Sequence, residues 1–110
     1  MQNQSLEIAK IIQHQLMTLG KIKVWSWGAH SWAVIENGLE FKVQGFKFKG
    51  VVKIVLMPSD TYTIQFIKNK KVEKEYSEVY FDQQVPLIDE YVEFTGEKYE
   101  QDVNNAVYHF

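Results

Sequence analysis

Leu39-Glu40-Phe41-Lys42-Val43-Gln44 decides the reading of this chain. Leu39, Phe41 and Val43 fall on one side of an extended backbone, and Glu40, Lys42 and Gln44 on the other. Strict alternation of this kind is the mark of a half-buried strand. Upstream lies a second apolar run, Trp32-Ala33-Val34-Ile35, and between the two stands Asn37-Gly38. An Asn-Gly pair between apolar runs predicts a tight hairpin, because both central residues tolerate positive φ.

The same period continues downstream. Gly45 and Gly50 bracket Phe46-Lys47-Phe48-Lys49. Val51–Met57 is an apolar strand and Pro58-Ser59-Asp60 a turn. Thr61–Ile67 alternates Tyr62, Ile64 and Phe66 with polar neighbours, and Lys68-Asn69-Lys70-Lys71 is a hairpin tip. Val72–Tyr80 returns as a further strand, its lysines near the tip guarding an edge. Upstream, Lys21–Ser26 also alternates, with Ile22 and Val24 against Lys23 and Trp25, and predicts an additional strand before the break at Gly28-Ala29-His30-Ser31.

Helices flank this run. Ile8, Ile12, Leu16 and Leu19 recur at helical spacing over residues 6–19, with Ser5 placed to cap the start and Gly20 to end the helix in a left-handed conformation. Residues 82–95 predict a second helix. Phe81, Val85, Ile88, Tyr91 and Val92 form its apolar side, with Leu87 and Phe94 widening that stripe. Asp82, Asp89, Glu90 and Glu93 form its polar side, and Gly96 its stop. Pro86 fits only the first turn, which puts the regular helix at Gln84 or Val85. Two amphipathic helices need a surface on which to bury their stripes. The expected fold is therefore a two-layer α+β domain: an N-terminal helix, a four- to five-stranded antiparallel sheet and a C-terminal helix, with both helices on one face. One domain spans 1–110, with its core in 5–96 and a tail, 97–110, that docks or stays flexible.

Composition narrows the function classes. The 110 residues contain no cysteine, which excludes disulfides, thiolate metal sites and a cysteine nucleophile. No apolar run approaches the ~20 residues of a membrane helix, and no basic region precedes an apolar stretch at the N-terminus. A cytoplasmic protein without membrane attachment is expected. All 12 cationic residues are lysine, which disfavours the bidentate contacts of sequence-specific DNA readers. Residues 41–74 carry net +6 and residues 75–110 net -8. Such segregation creates either two surfaces of opposite potential or two segments that attract each other within the fold.

No constellation of catalytic residues stands out. His14, His30 and His109 lack metal-site spacing, no phosphate loop is present, and no serine sits in a nucleophile elbow. No cofactor and no metal are expected. His30, in a turn between Trp27 and Trp32, is the only candidate general base, and a small enzyme centred on it is the third reading. The leading reading is a non-catalytic binding protein with an unidentified protein partner. Trp25, Trp27 and Trp32 are its candidate anchors, because Trp25 and Trp27 share a face opposite Ile22 and Val24. Asp82, Asp89, Glu90 and Glu93 are candidates for meeting a basic partner. The second reading is nucleic-acid binding through Lys42, Lys47, Lys49 and Lys53, interleaved with Phe41, Phe46 and Phe48. The chain is expected as a monomer or as a homodimer through the tryptophan-bearing strand.

Several short motifs also carry a resemblance. They are Gly28-Ala29-His30, Leu39-Glu40-Phe41-Lys42, Val52-Lys53-Ile54-Val55-Leu56, Asp60-Thr61-Tyr62 before Ile64 and Phe66, Val79-Tyr80-Phe81-Asp82, and Thr95-Gly96 with Tyr99. In order and spacing the stretch from Gly28 to Tyr99 resembles a family of short proteins of bacteriophages and other mobile elements, common in Bacteroidota. His30 stands where that family's pattern has a lysine. The resemblance implies an accessory protein working in a bacterial cytosol, with inhibition of a host factor as one concrete role. It carries no catalytic role over to this chain.

Overall fold

The computed structural model describes residues 2–93. The readings made above for Phe94, Thr95, Gly96, Tyr99, His109 and the tail lie outside the described residues. The element order is α1 (Gln2–Ser26), β1 (His30–Ile35), β2 (Gly38–Gln44), β3 (Lys49–Leu56), β4 (Tyr62–Lys68), β5 (Lys71–Val79), a 3-10 turn (Phe81–Gln83) and α2 (Gln84–Val92). The five strands form one antiparallel meander in the order β1-β2-β3-β4-β5. The expected α+β two-layer fold is present. α1 packs on β1 and β2 and against α2, which places both helices on one face.

Alternation decides which side chains meet the helices. Leu39 pairs with Ile54, Ile54 with Ile64 and Ile64 with Tyr76; one row along, Phe41, Val52 and Phe66 pair in turn. These rows form the floor of the core, which α1 closes with Ile8, Ala9, Ile12, Leu16 and Val24, and α2 with Val85, Ile88 and Val92. Burying each such aliphatic side chain contributes about 2 kcal/mol relative to exposure. Aromatic rings stack within the sheet and across the layers: Trp32 of β1 on Phe41 of β2 at 4.5 Å, and Tyr91 of α2 on Phe66 of β4 at 4.1 Å.

The first hairpin sits one residue earlier than Asn37-Gly38. Ile35 pairs with Gly38, so the two-residue turn is Glu36-Asn37, with Asn37 at φ 55. Gly38 is needed for a different reason. It lies inside β2, where a Cβ would run into the Ile54 carbonyl oxygen of β3. Ser5 does not cap α1, because the helix already begins at Gln2. Its hydroxyl instead accepts the Asn37 N–H at 3.0 Å and ties α1 to that turn.

The segment Lys21–Ser26 is helical, which corrects the strand expected there. Gly20 has φ -160 and ψ 47, an extended conformation rather than a left-handed one, and α1 kinks there and continues. Over so short a segment, period two and period 3.6 are hard to separate. Packing separates them: Val24 and Trp27, three apart, are buried together, whereas Ile22 and Trp25, also three apart, face outward. Leu19, on the helical stripe expected to be buried, is half exposed just before the kink, and Phe46 is 85% exposed in the β2–β3 loop. At its other end the sequence reading holds. α2 begins at Gln84 after a 3-10 turn, so Pro86 falls in its first turn, where a missing N–H costs nothing.

Candidate functional site

Trp25, Trp27 and Trp32 do not form one surface. Trp25 is 66% exposed, with the Lys21 ammonium 5.1 Å from its ring centre. Trp32 is half-buried on Phe41. Trp27 is fully buried, which removes it as an interface anchor. Its indole N–H donates to Asp89 Oδ1 at 3.0 Å, and Lys23 Nζ lies 3.4 Å from Asp89 Oδ2.

The acidic face of α2 is corrected in the same way. Asp82 and Glu90 are exposed, but Asp89 and Glu93 are buried at 3% and 5% exposure. On a helix Asp89 stands four residues after Val85 and three before Val92, so it shares their inward side. That spacing was the signal available in the sequence. Burial is tolerated because the Trp27 N–H and Lys23 satisfy the Asp89 carboxylate. Burial pushes the Glu93 carboxyl above the usual range; the Phe46 backbone N–H donating to it acts the other way, and the Asp89 charge adds to the rise. This acidic pair is an internal clamp between α1, α2 and the β2–β3 loop.

The lysine candidates divide as well. Lys42, Lys49 and Lys53 share the sheet face away from the helices, while Phe41 and Phe48 are buried on the other face. Lys53 lies in a row with Glu40 and Gln65, and Gln65 pairs onward with Glu75, to whose carboxylate it donates at 2.6 Å. Acids therefore alternate with the cations on that face, and the stacking rings are elsewhere. Lys47 is not part of it; its ammonium donates to the Glu90 carbonyl at 2.6 Å.

His30 begins β1, and its Nδ1–H donates to the Gly28 carbonyl at 2.7 Å. Among the described residues, four surface hollows, including the groove between α1 and α2, are lined without it. Among the described residues no group of three or more His, Asp or Glu side chains is placed to hold a metal ion, and no helix is long and apolar enough to cross a membrane.

One surface brings sequence candidates together with residues that the sequence reading missed. Around the kink, Leu19 just before Gly20 and Ile22 and Trp25 after it are 49%, 80% and 66% exposed. Beside them an open groove of about 530 Å³ runs between α1 and the start of α2, lined by Leu19, Ile22, Lys23, Asp82, Val85 and Pro86. Leu19 and Ile22 line this groove and Trp25 is exposed three residues beyond Ile22; grouped apolar side chains are informative where an isolated one is not. Asp82 and Lys23 supply opposite charges at its rim. No family model, curated protein or solved structure matches the chain.

Proposed function

We propose that this chain is a small non-catalytic binding domain whose partner is a protein, engaged through Leu19, Ile22, Trp25 and the groove beside them. The observation that carries the reading is the 80% exposure of Ile22, which lines that groove, and the 66% exposure of Trp25, three residues further along the same helical segment. Large apolar side chains held on an ordered helix contribute binding energy when a partner desolvates them, and tryptophan is enriched among such anchors. Helix-in-groove and groove-on-helix recognition both use residues three and four apart, as Ile22 and Trp25 are beyond the kink. The resemblance carried by residues 28–99 adds the context of a mobile-element accessory protein in a bacterial cytosol, and blocking a host factor is the form of action that such binding without catalysis takes.

The test is affinity capture from bacterial lysate with and without nuclease, using the wild-type chain beside Ile22→Ser and Trp25→Ala. A stoichiometric protein that survives nuclease and is lost with both variants supports the reading. Retention by both variants overturns it. The second reading, nucleic-acid binding, has the shared face of Lys42, Lys49 and Lys53 in its favour. Capture that vanishes with nuclease and weakens steeply with salt moves it to first place.

A further inference from the structure

Two carboxylates are buried one turn apart at the end of α2, and they are compensated differently. Asp89 has Lys23 Nζ at 3.4 Å and the Trp27 indole N–H at 3.0 Å. Glu93 accepts the Phe46 backbone N–H, and among the described residues no ammonium comes within ion-pair distance of it. Glu93 is also the residue that closes the C-terminal end of α2, its own N–H on the Asp89 carbonyl at 2.8 Å. Partial negative charge gathers at that end of a helix, so a further negative charge is disfavoured there. Burial opposes ionisation of Glu93 most strongly; the Phe46 N–H favours it, and the Asp89 charge opposes it again.

This carboxyl holds the β2–β3 loop. Besides the Phe46 N–H on Glu93, Lys47 N–H donates to the Val92 carbonyl at 2.8 Å and the Lys47 ammonium to the Glu90 carbonyl at 2.6 Å. Gly45 lies so close to Val92 that a Cβ would run into it. All four contacts fall on the last turn of α2. On either side the chain is fixed independently: the ladder of β2 and β3 closes at Gln44 and Lys49, and Phe48 packs on Phe66 and Tyr91. Movement of Gly45–Lys47 therefore breaks no pair of that ladder. The charged groups packed around Glu93 are Asp89 and Glu90 on α2, Lys23 on α1 and Lys47 on the loop. Lys23 is engaged by Asp89 and Lys47 by a carbonyl, while Glu90 is exposed.

We propose that the contact between this loop and the end of α2 is a proton-operated latch, shut while the Glu93 carboxyl carries its proton and opened when that group ionises. A neutral carboxyl still accepts the Phe46 N–H through its carbonyl oxygen, so the shut latch keeps its hydrogen bond. An ionised one regains water by turning outward, and a helix end opens at low free-energy cost. The Phe46 and Lys47 N–H groups are freed with it. One buried charge then biases one local element between two arrangements, which is the construction of a pH switch.

Hydrogen exchange of individual amides in the full chain, followed from the ordinary carboxyl value of 4.5 up to neutral pH and corrected for the intrinsic pH dependence of exchange, tests this. Protection of the Phe46 and Lys47 amides is expected to fall about tenfold or more beyond any fall in β3 and β4. In Glu93→Gln, which keeps an acceptor and cannot ionise, the loop amides stay in step with the sheet at every pH. Asp89→Asn moves the midpoint of loop release to lower pH, because a carboxyl that no longer faces a negative charge ionises sooner. A loop that merely packs on α2 shows no such shift. Loop amides that keep step with the sheet in the wild-type chain overturn the proposal. So does release that persists in Glu93→Gln, which assigns it to another titrating group, and so does a midpoint that Asp89→Asn leaves in place.

Discussion

The indole N–H of Trp27 donates to the Asp89 carboxylate at 3.0 Å inside the domain, although the two residues are 62 positions apart. This bond joins the end of α1 to the inward side of α2. Each group needs the other: a buried indole seeks an acceptor, and a buried carboxylate left without donors costs several kcal/mol. Trp27→Phe keeps a ring but removes the donor, leaving Lys23, half exposed, as the remaining partner. It is expected to lower stability by about 2 kcal/mol, and Trp27→Ala by about 4 kcal/mol once the cavity is added. Asp89→Asn, which keeps an acceptor for the indole, should cost less than Asp89→Ala. Urea unfolding of the four variants checks the order, and equal costs for Asn and Ala at position 89 would show that the bond contributes nothing.

Glu93 gives the domain a pH dependence of definite sign. Its folded-state carboxyl titrates above the ordinary 4.5, mainly because it is buried. Between that value and the raised one the folded chain holds a proton that the unfolded chain has lost. Stability from this group therefore falls as pH rises through the window, and the loss persists at neutral pH. Glu93→Gln keeps an acceptor for the Phe46 N–H and removes the charge facing Asp89. It should stabilise the domain at pH 7 and leave stability unchanged below the unfolded value. Melting temperatures of both proteins across this range decide it; a gain that is the same at every pH would mean that the carboxylate's charge is irrelevant.

Gly20 interrupts α1 where α1 meets α2. In an exposed helix Gly→Ala gains about 1 kcal/mol. Here an added Cβ would run into Val85 Cγ1, so Gly20→Ala is expected to cost about 2 kcal/mol through overpacking. Val85→Ala in the same chain removes the clash. The double variant should then be more stable than the sum of the two single costs implies, which a thermodynamic cycle measures directly. Additive costs would place the strain elsewhere.

The sheet was legible because period two persists over whole strands. Leu39, Phe41 and Val43, then Tyr62, Ile64 and Phe66, are buried as their alternation requires. Lys21–Ser26 was not legible, because its outcome depends on where Trp27 goes, and Trp27 is placed by Asp89, far along the chain. Polarity misled the reading of α2 for the same reason. An aspartate reads as outward until a donor on another element is known, although its spacing from Val85 and Val92 already placed it inward. The groove at Leu19 and Ile22 followed from the same error, since a strand at 21–26 would have buried Ile22. The apolar character of β1 stood in the sequence, but its position at the edge came only from the strand order.

Ile12 and Ile22 are the same residue type on the same helix, the first fully buried and the second 80% exposed. A purely sequence-based reading puts both inside. The structure separates them: Ile12→Ala should cost about 3 kcal/mol, while Ile22→Ser and Phe46→Ser should each stay within about 0.5 kcal/mol of the parent. Phe46→Ser is the sharper of the two, because the Glu93 carboxylate is held by the Phe46 backbone rather than its ring, so losing the ring leaves that contact in place. Chemical denaturation of the three variants distinguishes the outcomes. A loss of 2 kcal/mol or more in Ile22→Ser would show that its face is covered in the folded chain, and the groove reading would lose its anchor.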